Sequence, residues 1–226
     1  MIAAAVASVA LSVSPARVAL EPRTPTVLRV SGPNVSVTVR AFGYGLDLRG
    51  RQRVLRASAP WLSVSPRRVV ATRTGTPVTL RAKLPRAARG DLFAVVLVTA
   101  TSGSRVGVAV RVRLGVVASV RAPGKVTHRI VVRGLRLRGH VFELMLANMG
   151  DVAETLHPAD VTVAVGRARL HPRARQLLPH SKALLALSWR GVPTARLVAR
   201  VRVRQLVRAL VCKSPSWQGR HHRWCV

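Results

Sequence analysis

Residues 59–103 read APWLSVSPRRVVATRTGTPVTLRAKLPRAARGDLFAVVLVTATSG, and this stretch decides the fold. Val78, Leu80 and Ala82 alternate with Thr79, Arg81 and Lys83. Alternation with a period of two sets one face on a core and the other in water. Phe93 to Thr99 is a short, nearly continuous apolar run, which fits a central strand covered on both faces. Between the two, Leu84 to Asp91 carries the Pro, Gly and Asp of a connection. Leu62, Val64 and Val69 open the stretch. It predicts half of a β-sandwich.

Working outward, the same pattern repeats on both sides. Val9–Val18, Thr26–Val30 and Val35–Val39 are expected strands, separated by turns at Glu21–Pro25 and Ser31–Asn34. Phe42–Arg53, rich in Gly and Arg, is expected to be a loop or irregular edge, and Val106–Val116 alternates again. That makes about seven strands in roughly 105 residues, the spacing of an immunoglobulin-like sandwich. Leu11-Ser12-Val13-Ser14-Pro15 recurs as Leu62-Ser63-Val64-Ser65-Pro66, each followed two residues later by Arg-Val. The similarity fades soon after, so it marks two similar strand entries within one sandwich rather than a tandem array.

Residues 117–125 join this unit to another, hinged at Pro123-Gly124. Further strands are expected at His128–Leu137, Val141–Ala147, Val161–Val165, Ala183–Trp189 and Leu197–Val203, with a Pro-bounded connection at His171–His180. The organisation predicted is all-β, two tandem immunoglobulin-like sandwiches at 9–116 and 117–206. Residues 207–226 form a basic flexible tail. Residues 1–8, apolar with Ala-x-Ala triplets, are read as the remnant of a secretory signal. No run of about 18 uninterrupted apolar residues is present to make a transmembrane helix.

The composition is 49% hydrophobic, enough for a core, yet only 4% aromatic, so that core rests on Val, Leu and Ala. There are 38 Lys+Arg against 7 Asp+Glu, a formal charge of +31. Only Lys83, Lys125, Lys182 and Lys213 are lysines. Such a chain is drawn to polyanions: nucleic acid, anionic lipid or acidic envelope polymers. The two cysteines, Cys212 and Cys225, both lie near the C-terminus outside any metal-type spacing. In an oxidising compartment they are expected to form a disulfide closing the tail; the alternative is two unpaired thiols in a flexible tail.

The stretch WLSVSPRRVV, then TPVTLRAKLP and GDLFAVVLVTA, resembles the PapD-like (pilus-chaperone-like) immunoglobulin-fold family of bacterial exported and surface proteins. VAVRVRLGV resembles that family's G strand, and LMLANMGDVAET resembles a strand–turn segment of secreted immunoglobulin-like modules. The likeness covers Val9–Val116 well and the remainder loosely. It implies export, and in pilus chaperones two domains in tandem. In them the G strand donates hydrogen bonds to a subunit, while an Arg and a Lys anchor the subunit's terminal carboxylate. Arg17, or Arg111 and Arg113, are the residues here that would fill those places. No lysine lies on the matching G strand.

No catalytic constellation emerges: GxSxG, GxxxxGK[ST] and GxGxxG are all absent. His221-His222 with Cys225 falls short of a zinc site in count and spacing. Asp151 and Glu154 are expected to cap a turn. No enzyme activity, cofactor or metal is therefore expected. Arginine ladders carry the sharpest binding signal. Arg111 and Arg113 alternate with Val112 and Leu114; Arg200, Arg202 and Arg204 alternate with Val201 and Val203. Guanidinium groups about 7 Å apart on one strand face suit phosphates or carboxylates. The same charges also fit an outer sheet face protected from aggregation. RRM-type aromatic pairs, helix-turn-helix patterns and zinc fingers are lacking, so nucleic acid is expected only through generic electrostatics, with Trp217 and Trp224 in the basic tail. The expectation is a secreted, cell-surface or periplasmic binding module whose partner is an acidic cell-envelope polymer or a protein. The alternatives are a periplasmic pilus-type assembly chaperone acting by strand addition and a non-specific nucleic-acid binder acting through its basic surface.

Overall fold

The computed structural model describes residues 10–102, 110–191, 196–204, 206–213 and 222–225. In chain order its strands are β1 (Ser12–Ser14), β2 (Arg17–Leu20), β3 (Thr26–Ser31), β4 (Val35–Leu46), β5 (Gln52–Ser58), β6 (Leu62–Ser65), β7 (Arg68–Ala71), β8 (Thr76–Ala82), β9 (Asp91–Ser102) and β10 (Val110–Arg121). There follow β11 (Ile130–Arg138), β12 (Val141–Asn148), β13 (Glu154–Leu156), β14 (Val161–Val165), β15 (Ala168–Leu170), β16 (Arg175–Leu177), β17 (Lys182–Ser188), β18 (Arg196–Val203), β19 (Leu206–Lys213) and β20 (His222–Cys225). One 3-10 turn, Pro158–Asp160, precedes β14. The chain is all-β with two immunoglobulin-like units, as the alternation implied.

The first compact unit comprises Met1–Gly45 and Arg53–Gly124. A four-stranded sheet, β1-β3-β8-β6, faces a sheet ordered β2-β10-β9-β4-β5, with β7 also on β4. Leu28, Val30, Val78 and Leu80 of the first sheet and Val37, Val39, Val96 and Val98 of the second share one core, each at most 1% exposed. β9 sits between β10 and β4, and Ala94 to Val98 are buried without interruption, the expected central strand.

The two LSVSP segments perform the same task. β1 belongs to the four-stranded sheet and β2 to the other; β6 and β7 divide in the same way. Each time the chain changes sheet at the Ser-Pro step, Ser14-Pro15 and Ser65-Pro66, both cis. Proline has no N–H to continue a ladder, which ends the pairing there.

Phe42–Arg53, expected as a loop or irregular edge, is the end of β4, a tight turn and the start of the edge strand β5. Gly43 and Gly45 break the apolar count of the sequence. They are there because Leu55 of β5 lies over them: a Cβ on Gly43 would sit 3.2 Å from the Leu55 Cβ. Asp47 closes the turn. Its carboxylate accepts from the backbone N–H groups of Arg49 and Arg51, both at 2.9 Å, and from the Arg51 Nε at 2.7 Å.

The second unit comprises Leu46–Gln52 and Lys125–Val226. Its sheet runs β15-β14-β18-β19-β20-β11-β12-β17, beside a β13-β16 pair. Phe142, Leu144 and Leu185 from one end of the sheet and Val163 and Val201 from the other belong to one core, so the sheet closes over itself. The buried Asn148 donates to the carbonyls of Val152 (2.7 Å) and Leu177 (3.3 Å). Gly150 follows where no side chain fits, because a Cβ would lie 2.2 Å from the Thr127 carbonyl oxygen.

Three expectations about the ends of the units change. The division expected after Val116 falls inside β10, which runs to Arg121. His171–His180, expected as a connection, contains β16. The flexible tail expected over 207–226 contributes β19 and β20 to the main sheet. Spacing concealed them, since the segment between them breaks the alternation. The signal remnant at 1–8 lies outside the described residues.

Candidate partner-binding edge

β10 passes through two environments. Val116, Ala118 and Val120 face the core, at 1%, 0% and 3% exposure. Val112 and Leu114 continue the same stripe, opposite the core residues Ala100 and Val98 of β9, but are only half-buried. Neither belongs to the core cluster or packs against it.

The backbone of this half-strand is open on one side. β9 pairs with β10 along its whole length, whereas β2 pairs in parallel only with Val117–Val120. Val117 donates its N–H to the Ala16 carbonyl at 3.2 Å. Odd-numbered residues of β10 therefore direct their N–H and C=O groups toward the β2 side, and even-numbered ones toward β9. Among the described residues no strand pairs with Arg111–Val116 on that side. The hydrogen-bonding groups of Arg111, Arg113 and Gly115 line this open edge.

The guanidinium pair emerges on the opposite sheet face from Val112 and Leu114. Arg111 and Arg113 are exposed and sit across from Thr101 and Thr99 of β9. With Arg40, Arg56, Phe42 and Leu55 they border a groove of about 500 Å³. Sequence reading found Arg111 and Arg113 but not Arg56 or Phe42, which fell in or next to the supposed loop. Carrying the Val35–Val39 alternation two steps further would have placed Phe42 on the face of Thr38 and Arg40.

Arg17 opens β2 opposite Val117, four residues beyond Arg113 and so roughly 13 Å along the strand. Its charge acts on Tyr44: burial pushes the phenol up, and Arg17 offsets part of that rise. Arg200 and Arg202 are exposed on β18, opposite Ala164 and Thr162, while Ala199, Val201 and Val203 are buried. Arg204 leaves this ladder. It follows β18 with φ 51°, and its guanidinium binds Glu154 at 2.9 Å and the Thr155 carbonyl at 3.2 Å. Glu154, expected to cap a turn, is instead a 5% exposed carboxylate held also by the His128 Nδ1 at 2.6 Å. Asp151, expected to cap the same turn, instead accepts from the Thr127 N–H at 2.6 Å, 24 residues earlier, while the Asn148 Oδ1 accepts from the Gly150 N–H at 2.9 Å.

The β19–β20 register sets Cys212 opposite Cys225; their side chains lie outside the described residues. Among the described residues no three His, Cys, Asp or Glu side chains gather as a metal site. Among the described residues no helix is long and apolar enough to cross a membrane.

No family model and no curated protein matches the sequence. Solved structures do match the fold. The class 5 fimbriae chaperone CfaA superposes with a TM-score of 0.55 at 10% identity, covering 92% of this chain and 100% of that one. A chain from a chaperone–tip adhesin complex of CFA/I fimbriae biogenesis gives 0.55 at 9% identity, covering 91% and 99%. The chain thus has the PapD-like fold of two immunoglobulin-like domains seen in pilus chaperones.

Proposed function

We propose that this chain is a periplasmic assembly chaperone that binds a protein subunit by strand addition along Arg111–Val116. The carrying observation is the open edge of β10. There a row of backbone groups with no strand partner among the described residues coincides with half-buried apolar side chains at Val112 and Leu114. An exposed edge of this kind is an aggregation hazard unless it is covered or charged. Arg111 and Arg113 supply the charge, and a partner strand would supply the cover. Main-chain bonds would give affinity and the alternate apolar side chains register. The likeness to a fimbrial chaperone over almost the full length of both chains supports this reading over an envelope-polymer module as the main activity. Arg17, at the start of the strand that closes the edge, is the residue we assign to a terminal carboxylate.

The test uses a recombinant pilus subunit lacking its own completing strand. Mixed with the full chain, it should give a 1:1 complex by size exclusion. Hydrogen exchange should then slow at the amides of Arg111, Arg113 and Gly115. Leu114→Asp should abolish the complex with little change in melting temperature. A complex indifferent to Leu114→Asp, or none at all, overturns the proposal.

A further inference from the structure

A second cationic site adjoins the groove beside β10, on β4 of the first unit. β5 and β7 both flank β4, and between them the chain leaves for the opposite sheet as β6. This excursion opens a cavity of about 670 Å³, within the size range of small-molecule sites. Its rim carries Arg40, Arg67, Arg68 and Lys83, all exposed, and its lining holds no acidic residue. None of the four forms an ion pair among the described residues. By contrast, Arg51, Arg121, Arg136 and Arg204 each hold a carboxylate. Four uncompensated cations around one concavity repel each other, and that repulsion falls when a multivalent anion enters.

Hydroxyls and an apolar patch complete the lining. Thr38, Ser58 and Ser63 offer donors and acceptors, while Phe42 and Pro60 offer apolar contact. We infer that this cavity binds an acidic oligosaccharide, with sugar carboxylates on the guanidinium groups, sugar hydroxyls on Ser and Thr, and a C–H face against Phe42. Bidentate arginine–carboxylate bonds give geometry as well as charge. The site shares Thr38, Arg40 and Phe42 with the groove beside β10 but requires neither Arg111 nor Arg113, and it stands independently of strand addition.

Titration calorimetry of the full chain at low salt tests it with tetragalacturonate, tripolyphosphate and cellotetraose. Tetragalacturonate should bind 1:1, on the order of tenfold tighter than tripolyphosphate, a difference of about 1.4 kcal/mol. Cellotetraose should not bind. Arg67→Ser with Arg68→Ser should weaken tetragalacturonate at least about tenfold, whereas Arg200→Ser with Arg202→Ser should change it less than about twofold. Amide shifts in the unmutated chain should fall on Ser63 and Arg67, a readout free of any folding defect. Equal losses in the two double variants, tripolyphosphate binding as tightly as the sugar, or no saturable binding would each overturn the assignment.

Discussion

Arg121 at the end of β10 grips Asp91 at the start of β9 with two parallel bonds, Nε to Oδ1 at 2.7 Å and Nη2 to Oδ2 at 3.0 Å. The two are direct cross-strand partners, and the pair locks the end of β10 opposite to its open edge. The carboxylate raises the Arg121 pKa through hydrogen bonding and charge. Asp91 is 11% exposed and Arg121 61%, so solvent screens much of the attraction. Asp91→Asn should cost about 1 kcal/mol. Urea titrations at low and at 1 M salt check this: the deficit should shrink with salt.

The Asp47 turn gives a pH dependence with a definite sign. Backbone and side-chain bonds from Arg51 lower the Asp47 pKa below the ordinary aspartate value. A depressed folded-state pKa means stability that is fully present above the unfolded value, about 3.9, and lost as pH falls through the folded one. Asp47→Asn should therefore be less stable than the parent at pH 7 and equal to it once both forms are protonated. A deficit persisting unchanged at the lowest pH would point to geometry rather than charge.

β9 was legible in the sequence because burial on both faces leaves a nearly continuous apolar run, Phe93–Thr99. β8 was legible because burial on one face leaves alternation, Val78-Leu80-Ala82. β5 was not. Its residues Gln52–Ser58 are all exposed, and a strand that covers a sheet edge without entering the core carries no hydrophobic period. The arginines of β10 could be read, but not that β2 stops pairing at Val117, because that depends on a parallel partner about 100 residues away. The acidic residues show the same limit. Only seven exist; Asp47 and Asp160 hold turns, Asp91 and Glu143 hold strand pairs, and Asp151 and Glu154 tie distant segments. Composition recorded their scarcity, not their placement.

The open edge itself is testable without a partner. The N–H of Arg113 faces the open side and that of Leu114 faces β9. Arg113→Pro should thus remove no ladder bond, while Leu114→Pro removes one, a further loss of about 1 kcal/mol. Thermal melts of the two variants should rank in that order. The reverse order would mean that Arg113 already donates to a strand.

The cysteines make a simpler prediction. With Cys212 and Cys225 in register on neighbouring strands, protein from an oxidising compartment should show a peptide pair that separates only after reduction. The bond should contribute on the order of 3 kcal/mol, read as the drop in stability of a Cys212→Ser, Cys225→Ser variant.

Glu154 offers the sharpest test of the second unit. It binds His128 on the segment before β11 and Arg204 after β18, so one carboxylate ties together segments about 75 residues apart. Removing a buried partner leaves the Arg204 charge uncompensated, which costs several kcal/mol in a dry interior. His128 and Arg204 are 61% and 42% exposed, so water can take over part of their solvation. Glu154→Ala should therefore cost less than a fully buried pair, roughly 1–3 kcal/mol. Trp189, packed 5.3 Å from Phe142 in the same core, reports the unfolding by fluorescence. Glu154→Gln separates the two contributions. The amide still accepts hydrogen bonds but carries no charge, so it should recover part of the loss, and the remainder should shrink at high salt. Full recovery by Gln would assign the tie to hydrogen bonding alone.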